Sequence, residues 1–156
     1  MMPPKNLERL KELYDNGVDN PSFNIEVWPH SAFSHFCPGK EMYVGFDHVI
    51  SSLKKLVEFY GPGMVWSNFV AGLVPIEDMK DGFRYMAENG IIPGANIYHA
   101  EVRSVIGNSL GVIDTDYVKQ LYSYAAELYH KYGFKPFFDT SVLRNSLANE
   151  FYEGLL

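Results

Sequence analysis

Amide and carboxylate side chains recur at matching places along this chain. Each follows a helical stretch that a glycine ends, and each lies in a short strand-like run: Phe23-Asn24-Ile25-Glu26, Ser67-Asn68-Phe69-Val70 and Ala95-Asn96-Ile97-Tyr98. An asparagine can donate and accept hydrogen bonds, and a glutamate can accept two from a diol. This combination suits the ribose of a nucleotide-like ligand. The other reading is that the asparagines form a structural hydrogen-bond network.

The alternation within these runs assigns the polar residues to one face of a sheet. Successive side chains of a strand point to opposite faces, so Asn24, Glu26 and Trp28 are predicted to share a face, opposite to their apolar neighbours. Strands that alternate with helices form parallel sheets, whose helix-facing side is apolar. The polar face is therefore predicted to be the inside of a barrel or a ligand crevice.

Apolar spacing and glycines predict a helix-strand unit repeated along the chain and a C-terminal helix. The predicted helices cover residues 5–16, 47–60, 76–89 and 115–132 and continue again from Ser141, and the predicted strands cover 22–28, 64–71, 92–99 and 134–140. The connections 29–46 and 100–114 have the length of functional loops. The sequence thus predicts an α/β fold of one domain over residues 1–156, a half βα barrel with about four parallel strands and an open inner face.

Active sites of βα barrels form at the carboxyl ends of the strands. The residues predicted at that edge are Asn24, Glu26, Trp28, Asn68, Val70, Asn96, Tyr98, Arg103 and Asp139. Glu26 is favoured as functional because it is a charge on an inner face. Arg103 could clamp a carboxylate, or it is a solvated loop residue. Because no lysine stands at a strand end, a lyase or aldolase fragment with Glu26 as base is a weaker alternative.

Composition and charge narrow the classes of function. Thirteen basic against nineteen acidic residues give a formal charge of -6, and scattered basic residues disfavour a nucleic-acid partner. We expect a cytoplasmic protein without a membrane partner, since no apolar run approaches the roughly 18 residues of a membrane helix. His30, His35 and Cys37 share one connection but lack a fourth ligand, so no metal site is expected.

Several segments, taken in order, resemble the later half of the radical S-adenosylmethionine core, in the pattern of its biotin-synthase-like members. They are Gly17-Val18-Asp19 leading into Phe23-Asn24-Ile25-Glu26, the loop Pro38-Gly39-Lys40, residues 67–73 (SNFVAGL), Glu77-Asp78 and Gly90-Ile91-Ile92-Pro93. The resemblance covers roughly residues 5–132. It implies a barrel of the TIM type, S-adenosylmethionine as cofactor and a small-molecule substrate.

The resemblance also implies roles for matching residues. The family's fourth strand carries an Asn-x-acid pair against the cofactor ribose and the substrate, matched by Asn24 and Glu26. Its fifth strand carries a glycine-rich motif that approaches the adenine, matched by residues 67–73, and its sixth strand adds further adenine contacts. The implied cofactor contacts are Asn24, Glu26, Asn68, Gly72, Asn96 and Tyr98, and the substrate-facing candidates are Trp28, Arg103 and Asp139.

The family's 4Fe-4S cluster is held by a Cys-x3-Cys-x2-Cys loop after its first strand, and Cys37 is the single cysteine of this chain. By resemblance, the cluster and the first three strands come from an N-terminal half, on the same or a separate chain. We therefore expect the C-terminal part of a radical enzyme, with no cofactor bound and no activity when it is alone. The alternative is a non-catalytic half-barrel module whose open edges pair with a second copy of itself.

Overall fold

The computed structural model describes residues 2–99, 113–135 and 147–156. The helices are α1 (Lys11–Asp15, after a 3-10 turn over Leu7–Leu10), α2 (His30–Phe36), α3 (Pro38–Tyr43), α4 (Phe46–Tyr60), α5 (Ile76–Glu88), α6 (Thr115–Tyr132) and α7 (Ala148–Tyr152). The strands are β1 (Val65–Ala71) and β2 (Ile91–Ile97). The described residues form a mixed α/β protein in which β1 and β2 are parallel.

Residues 22–26, predicted as part of a regular strand, run beside β1 through two isolated parallel bridges. The bridges join Ser22 to Trp66 and Glu26 to Phe69. From Ser22 to Glu26 the chain advances four residues, whereas from Trp66 to Phe69 it advances three. One extra residue on one strand is a β-bulge. The prediction of a regular strand over 22–28 is wrong for this reason, and residues 22–26 are called the bulged segment below.

The bulged segment, β1 and β2 lie side by side in chain order. β1 pairs with β2 in register from Val65 opposite Ile91 to Ala71 opposite Ile97. Alternate residues of β1, beginning with Val65, are buried. Phe69 belongs to this buried set, and its ring centroid lies 5.1 Å from that of Phe83 in α5. The helices therefore cover this face of the sheet, as the apolar pattern predicted.

The predicted half barrel of four strands is not what the described residues form. They hold β1, β2 and the bulged segment. Most of the predicted fourth strand, residues 136–140, lies outside the described ranges, as do Ser141 and the start of the predicted last helix. Phe134 and Lys135 belong to no strand.

Tyrosine hydroxyls from α6 satisfy the outer edge of β2. Tyr122 donates to the carbonyl of Ala95 at 2.9 Å, and Tyr129 donates to the carbonyl of Pro93. In a parallel strand, the backbone groups of alternate residues point to the same neighbour, and the N–H of Tyr98 points to β1. Pro93 and Ala95 belong to the other set of residues, so their carbonyls face away from β1. Burial raises the pKa of Tyr129, which remains a neutral donor. Two of the acceptors at the outer edge of β2 are therefore occupied by a helix.

The connection 29–46, predicted as a long loop, contains α2 and α3. Pro38 opens α3, where its missing N–H costs no hydrogen bond. Glu41 accepts from the ring of His30 at 2.9 Å and from the N–H of Phe46 at 3.1 Å, which joins α2, α3 and α4. The hydrogen bond from His30 holds the pKa of Glu41 below its ordinary value. Helices this short show no sustained apolar period in a sequence.

The longer helices follow the sequence prediction within about two residues, the usual uncertainty of helix ends. Gly45 precedes α4, with Asp47 in its first turn, and Asp114 caps α6 by accepting from the N–H of Asp116. Within the described ranges, no helix combines the length and apolarity needed to cross a lipid bilayer.

Replacement of Tyr122 by Phe should lower the free energy of unfolding by about 1–2 kcal/mol, because the buried carbonyl of Ala95 loses its donor. Urea unfolding followed by circular dichroism measures this change. Tyr124→Phe is the matched control, since Tyr124 lies in the same helix and is partly exposed, and it should change stability by less than about 0.5 kcal/mol. Equal stability of the Tyr122→Phe variant and the unmutated protein would contradict the closure of the β2 edge by this hydroxyl.

Candidate functional site

An open pocket of about 310 Å³ lies at the carboxyl ends of the bulged segment, β1 and β2. Its walls come from the ends of these segments, from the residues that follow them, and from α2 and α3. The lining residues are Glu26, Val27, Phe36, Cys37, Lys40, Val70, Leu73 and Tyr98. The pocket is at the edge of the sheet where the sequence predicted a site, and Glu26, Val70 and Tyr98 of the predicted residues line it.

Glu26 has a left-handed backbone, with φ of 66°. For a residue other than glycine, the left-handed conformation costs roughly 1–2 kcal/mol relative to the right-handed conformation. Both backbone groups of Glu26 are bonded to β1, its N–H to the carbonyl of Asn68 at 3.0 Å and its carbonyl to the N–H of Val70 at 2.6 Å. These two bonds to β1 therefore restrain this conformation. Strain that the surroundings enforce is common at binding and catalytic sites.

The carboxylate of Glu26 pairs with the ammonium of Lys40. Lys40 Nζ lies 2.9 Å from Glu26 Oε1 and 2.6 Å from the carbonyl oxygen of Asn24. The two charged side chains are 14% and 29% exposed for Lys40 and Glu26, so water screens the pair only in part. Within the described ranges no hydrogen bond reaches Glu26 Oε2. That oxygen is the acceptor a ligand can use.

Tyr98 also lines the pocket. Its backbone N–H donates to the carbonyl of Ala71 at 2.9 Å, which fixes the residue directly after β2. Its hydroxyl oxygen is buried and has no hydrogen-bond partner among the residues that the structure describes. Buried hydroxyls usually have partners, and one without a partner requires an explanation. Because this oxygen is buried, a ligand atom in the pocket can reach it only after a movement of the side chain.

Trp28 lies on the helix side of the sheet, so the prediction that it shares the polar face with Glu26 is wrong. Its indole N–H donates to Asp81 Oδ2 in α5 at 3.0 Å. Gly82 permits this approach, because a Cβ there would lie 2.8 Å from Trp28 Cγ. The left-handed residue Glu26 inverts the alternation of the strand. Val27 consequently lines the pocket and Trp28 packs on α5.

Asn24, Asn68 and Asn96 lie beside the pocket but are not among its lining residues. The carboxamide of Asn68 lies over Gly94, where a Cβ would approach Asn68 Oδ1 to 2.6 Å. Asn24 Oδ1 accepts from the backbone N–H of Asn68 at 3.4 Å. Asn96 stands opposite Val70, on the same face as Asn68, and is exposed. The structure thus brings Asn24 and Asn68 together in a hydrogen-bond network and leaves Asn96 toward solvent.

Gly72 forms the turn after β1 and packs against the start of α6. Its φ is 100°, and a Cβ at this position would lie 2.3 Å from Ile113 Cδ1. Its N–H donates to the hydroxyl of Tyr117 at 3.3 Å, and this hydroxyl donates to the carbonyl of Val74 at 3.0 Å. Burial raises the pKa of Tyr117, which stays protonated. Backbone conformation and packing both require glycine here.

The structure adds Lys40 to the site, which the sequence analysis did not select. Two hints were present: Lys40 lies in the long connection 29–46, and it ends the run Pro38-Gly39-Lys40. No spacing rule relates it to Glu26, because the two residues come together through the packing of α3. The other two candidates, Arg103 and Asp139, lie outside the described residues.

The pocket is suited to binding rather than to nucleophilic attack. Burial raises the pKa of the Cys37 thiol and the charge of Glu26 adds to this, while Lys40 opposes it. The thiol is therefore protonated at neutral pH and a weak nucleophile. Within the described ranges, no group of three or more His, Cys, Asp or Glu side chains could hold a metal ion. An apolar wall with one carboxylate can hold a ring that carries hydroxyl groups.

Neither the protein-family models nor the curated proteins contain a match to this chain. The pocket geometry and the resemblance of its sequence motifs are therefore the basis for assigning a function.

Two substitutions at Glu26 separate its backbone strain from its charge. Glu26→Ala and Glu26→Gly both remove the carboxylate, but glycine adopts the left-handed conformation without a steric cost. We expect the glycine variant to be more stable than the alanine variant by about 1 kcal/mol in urea unfolding. At Asn96, an exposed strand position without positive φ, alanine should be the more stable by about 0.5–1 kcal/mol. If alanine were the more stable residue at both positions, Glu26 would not be strained.

Proposed function

We propose that this chain is the C-terminal part of a radical S-adenosylmethionine enzyme and forms the wall against which the cofactor nucleoside and the substrate bind. The observation that carries the proposal is the pocket at the carboxyl ends of the parallel segments, into which a strained glutamate presents its carboxylate. Binding sites of parallel α/β folds form at this edge. The sequence motifs that resemble the family include Glu26 and the turn after β1.

The residues of the pocket suit the nucleoside of S-adenosylmethionine. Glu26 Oε2 can accept from ribose hydroxyls, and Val27, Val70 and Leu73 offer an apolar wall to the adenine. The volume of about 310 Å³ is at the lower end of the range for small-molecule sites, as suits a site that a second part completes. In this family the bound cofactor supplies the radical chemistry. The share of this chain is to bind, orient and exclude water.

We place the cluster-binding part at the edge of the bulged segment. Three thiolates hold the family's cluster, and Cys37 is the single cysteine here, so the ligands have to come from another part of the enzyme. The outer edge of β2 is already bonded to the hydroxyls of Tyr122 and Tyr129. The opposite edge of the sheet, along the bulged segment, is therefore where further parallel strands would extend the barrel.

Self-closure of two copies into one barrel is the alternative proposal. It requires both edges of each sheet to pair with the partner. The carbonyls of Pro93 and Ala95 at the β2 edge accept from α6 hydroxyls, and proline has no N–H to donate. This observation favours the enzyme-part proposal over a self-closing module.

Because the pocket is already formed in this chain, we expect it to bind S-adenosylmethionine weakly, in place of the expectation from the sequence that the chain alone binds no cofactor. Titration with S-adenosylmethionine, followed by the backbone amide signals in NMR, tests the proposal. Shifts should concentrate on Glu26, Val27, Val70 and Tyr98. Glu26→Gln should weaken binding about tenfold, because the charge-assisted hydrogen bonds to the ribose are lost. Glu58→Gln is the matched control, since Glu58 is an exposed glutamate of α4, paired with Lys55, and should leave the affinity unchanged.

Either of two outcomes would overturn the proposal. One is an unchanged spectrum at millimolar S-adenosylmethionine, a concentration at which a weak partial site is still detected. The other is a set of shifts that avoids the pocket residues, with equal affinity for the Glu26→Gln and Glu58→Gln variants.

A further inference from the structure

Side chains supply hydrogen bonds where the backbone of the bulged segment is out of register with that of β1. The N–H of Ile25 donates to Ser67 Oγ at 3.0 Å, and the N–H of Asn68 donates to Asn24 Oδ1 at 3.4 Å. The carbonyl of Asn24 accepts from Lys40 Nζ at 2.6 Å. Backbone groups shielded from water need such partners. The bulge therefore depends on side chains, and Lys40 is the one that comes from outside the sheet.

Lys40 joins Asn24 and Glu26 of the bulged segment. Its ammonium contacts the carbonyl of Asn24 at 2.6 Å and the carboxylate of Glu26 at 2.9 Å. It reaches them from α3, across a sequence separation of 14 residues from Glu26. Its side chain is 14% exposed, so an unpaired ammonium there would be costly. These contacts distinguish Lys40 from lysines whose ion pairs lie at the surface, such as that of Lys11 with Asp15.

We propose that Lys40 is a positioning residue that holds Glu26 in its left-handed conformation and aims its carboxylate at the pocket. The inference rests on the proposed function in taking Glu26 as the ligand contact. The ammonium donates to both the carbonyl of Asn24 and Oε1 of Glu26. These two hydrogen bonds restrain both the backbone turn and the direction of the side chain. Oε2 is left without a hydrogen bond among the described residues and can accept one from a ligand.

The expected effects follow from the donors each substitution retains. Lys40→Met keeps the length and apolar volume of the side chain but removes the charge and the donors. Without them the carboxylate turns toward water, and the bulge loses a restraint on its φ angles. Lys40→Arg keeps the charge and can reach two oxygens with its planar fork, so it should restore much of the geometry.

The Cα and Cβ chemical shifts of Glu26 report its backbone conformation directly. In the Lys40→Met variant we expect them to move away from left-handed values, and in the Lys40→Arg variant to stay near those of the unmutated protein. Affinity for S-adenosylmethionine, used as the probe, should fall about tenfold in Lys40→Met and recover in Lys40→Arg. Lys55→Met is the control, because Lys55 pairs with Glu58 on α4, and it should change neither quantity.

If the Cα and Cβ chemical shifts of Glu26 keep left-handed values in Lys40→Met, the inference is overturned, whether or not S-adenosylmethionine binds. An unmutated protein that ignores S-adenosylmethionine, combined with altered Glu26 shifts in Lys40→Met, would reject the proposed function and leave the positioning role standing. If Lys40→Met does not fold, hydrogen exchange of the Lys40 ammonium in the unmutated protein decides. It should be slower than that of the exposed Lys119, and equal rates would overturn the inference.

Discussion

The parallel pairing of the bulged segment with β1 is the constraint on which the candidate site depends. It bonds both backbone groups of Glu26 to β1 while the segment carries one more residue than its partner. The extra residue has to be accommodated by a turn of the backbone, and the left-handed φ of Glu26 provides it. Regular pairing over the same stretch would place Val27 on the helix side, as the sequence predicted. The pocket would then lose Val27 from its apolar wall.

The helices make the two edges of the sheet unequal. α6 bonds two carbonyls of β2 through tyrosine hydroxyls and packs on the turn at Gly72. The bulged segment has β1 on one side and receives Lys40 from α3 at its carboxyl end. When the carbonyls at one edge of a sheet are already bonded, further strands can be added at the other edge. This asymmetry is the structural reason to prefer an additional set of strands beside the bulged segment over closure by an identical copy.

The electrostatics of the pocket agree with a role in binding. Lys40 balances the charge of Glu26, and Cys37 is held protonated by burial. The strongest hydrogen-bonding group left for a ligand is therefore a carboxylate oxygen with an apolar wall beside it. Such a site recognises hydroxyl groups on a ring without supplying a nucleophile. Chemistry on a substrate would have to come from a bound cofactor, as the proposed function requires.

The sequence by itself determined the helices α4, α5 and α6, the strands β1 and β2, and the edge of the sheet at which Glu26 and Tyr98 lie. Apolar periodicity and glycines carry that information because they report the conformation of each segment alone. Only the tertiary structure decided the bulge, the reversal that sends Trp28 to α5, and the pairing of Lys40 with Glu26. Register between segments and contacts across a long connection depend on how neighbouring elements pack. A pattern within one segment carries no information about either register or such contacts.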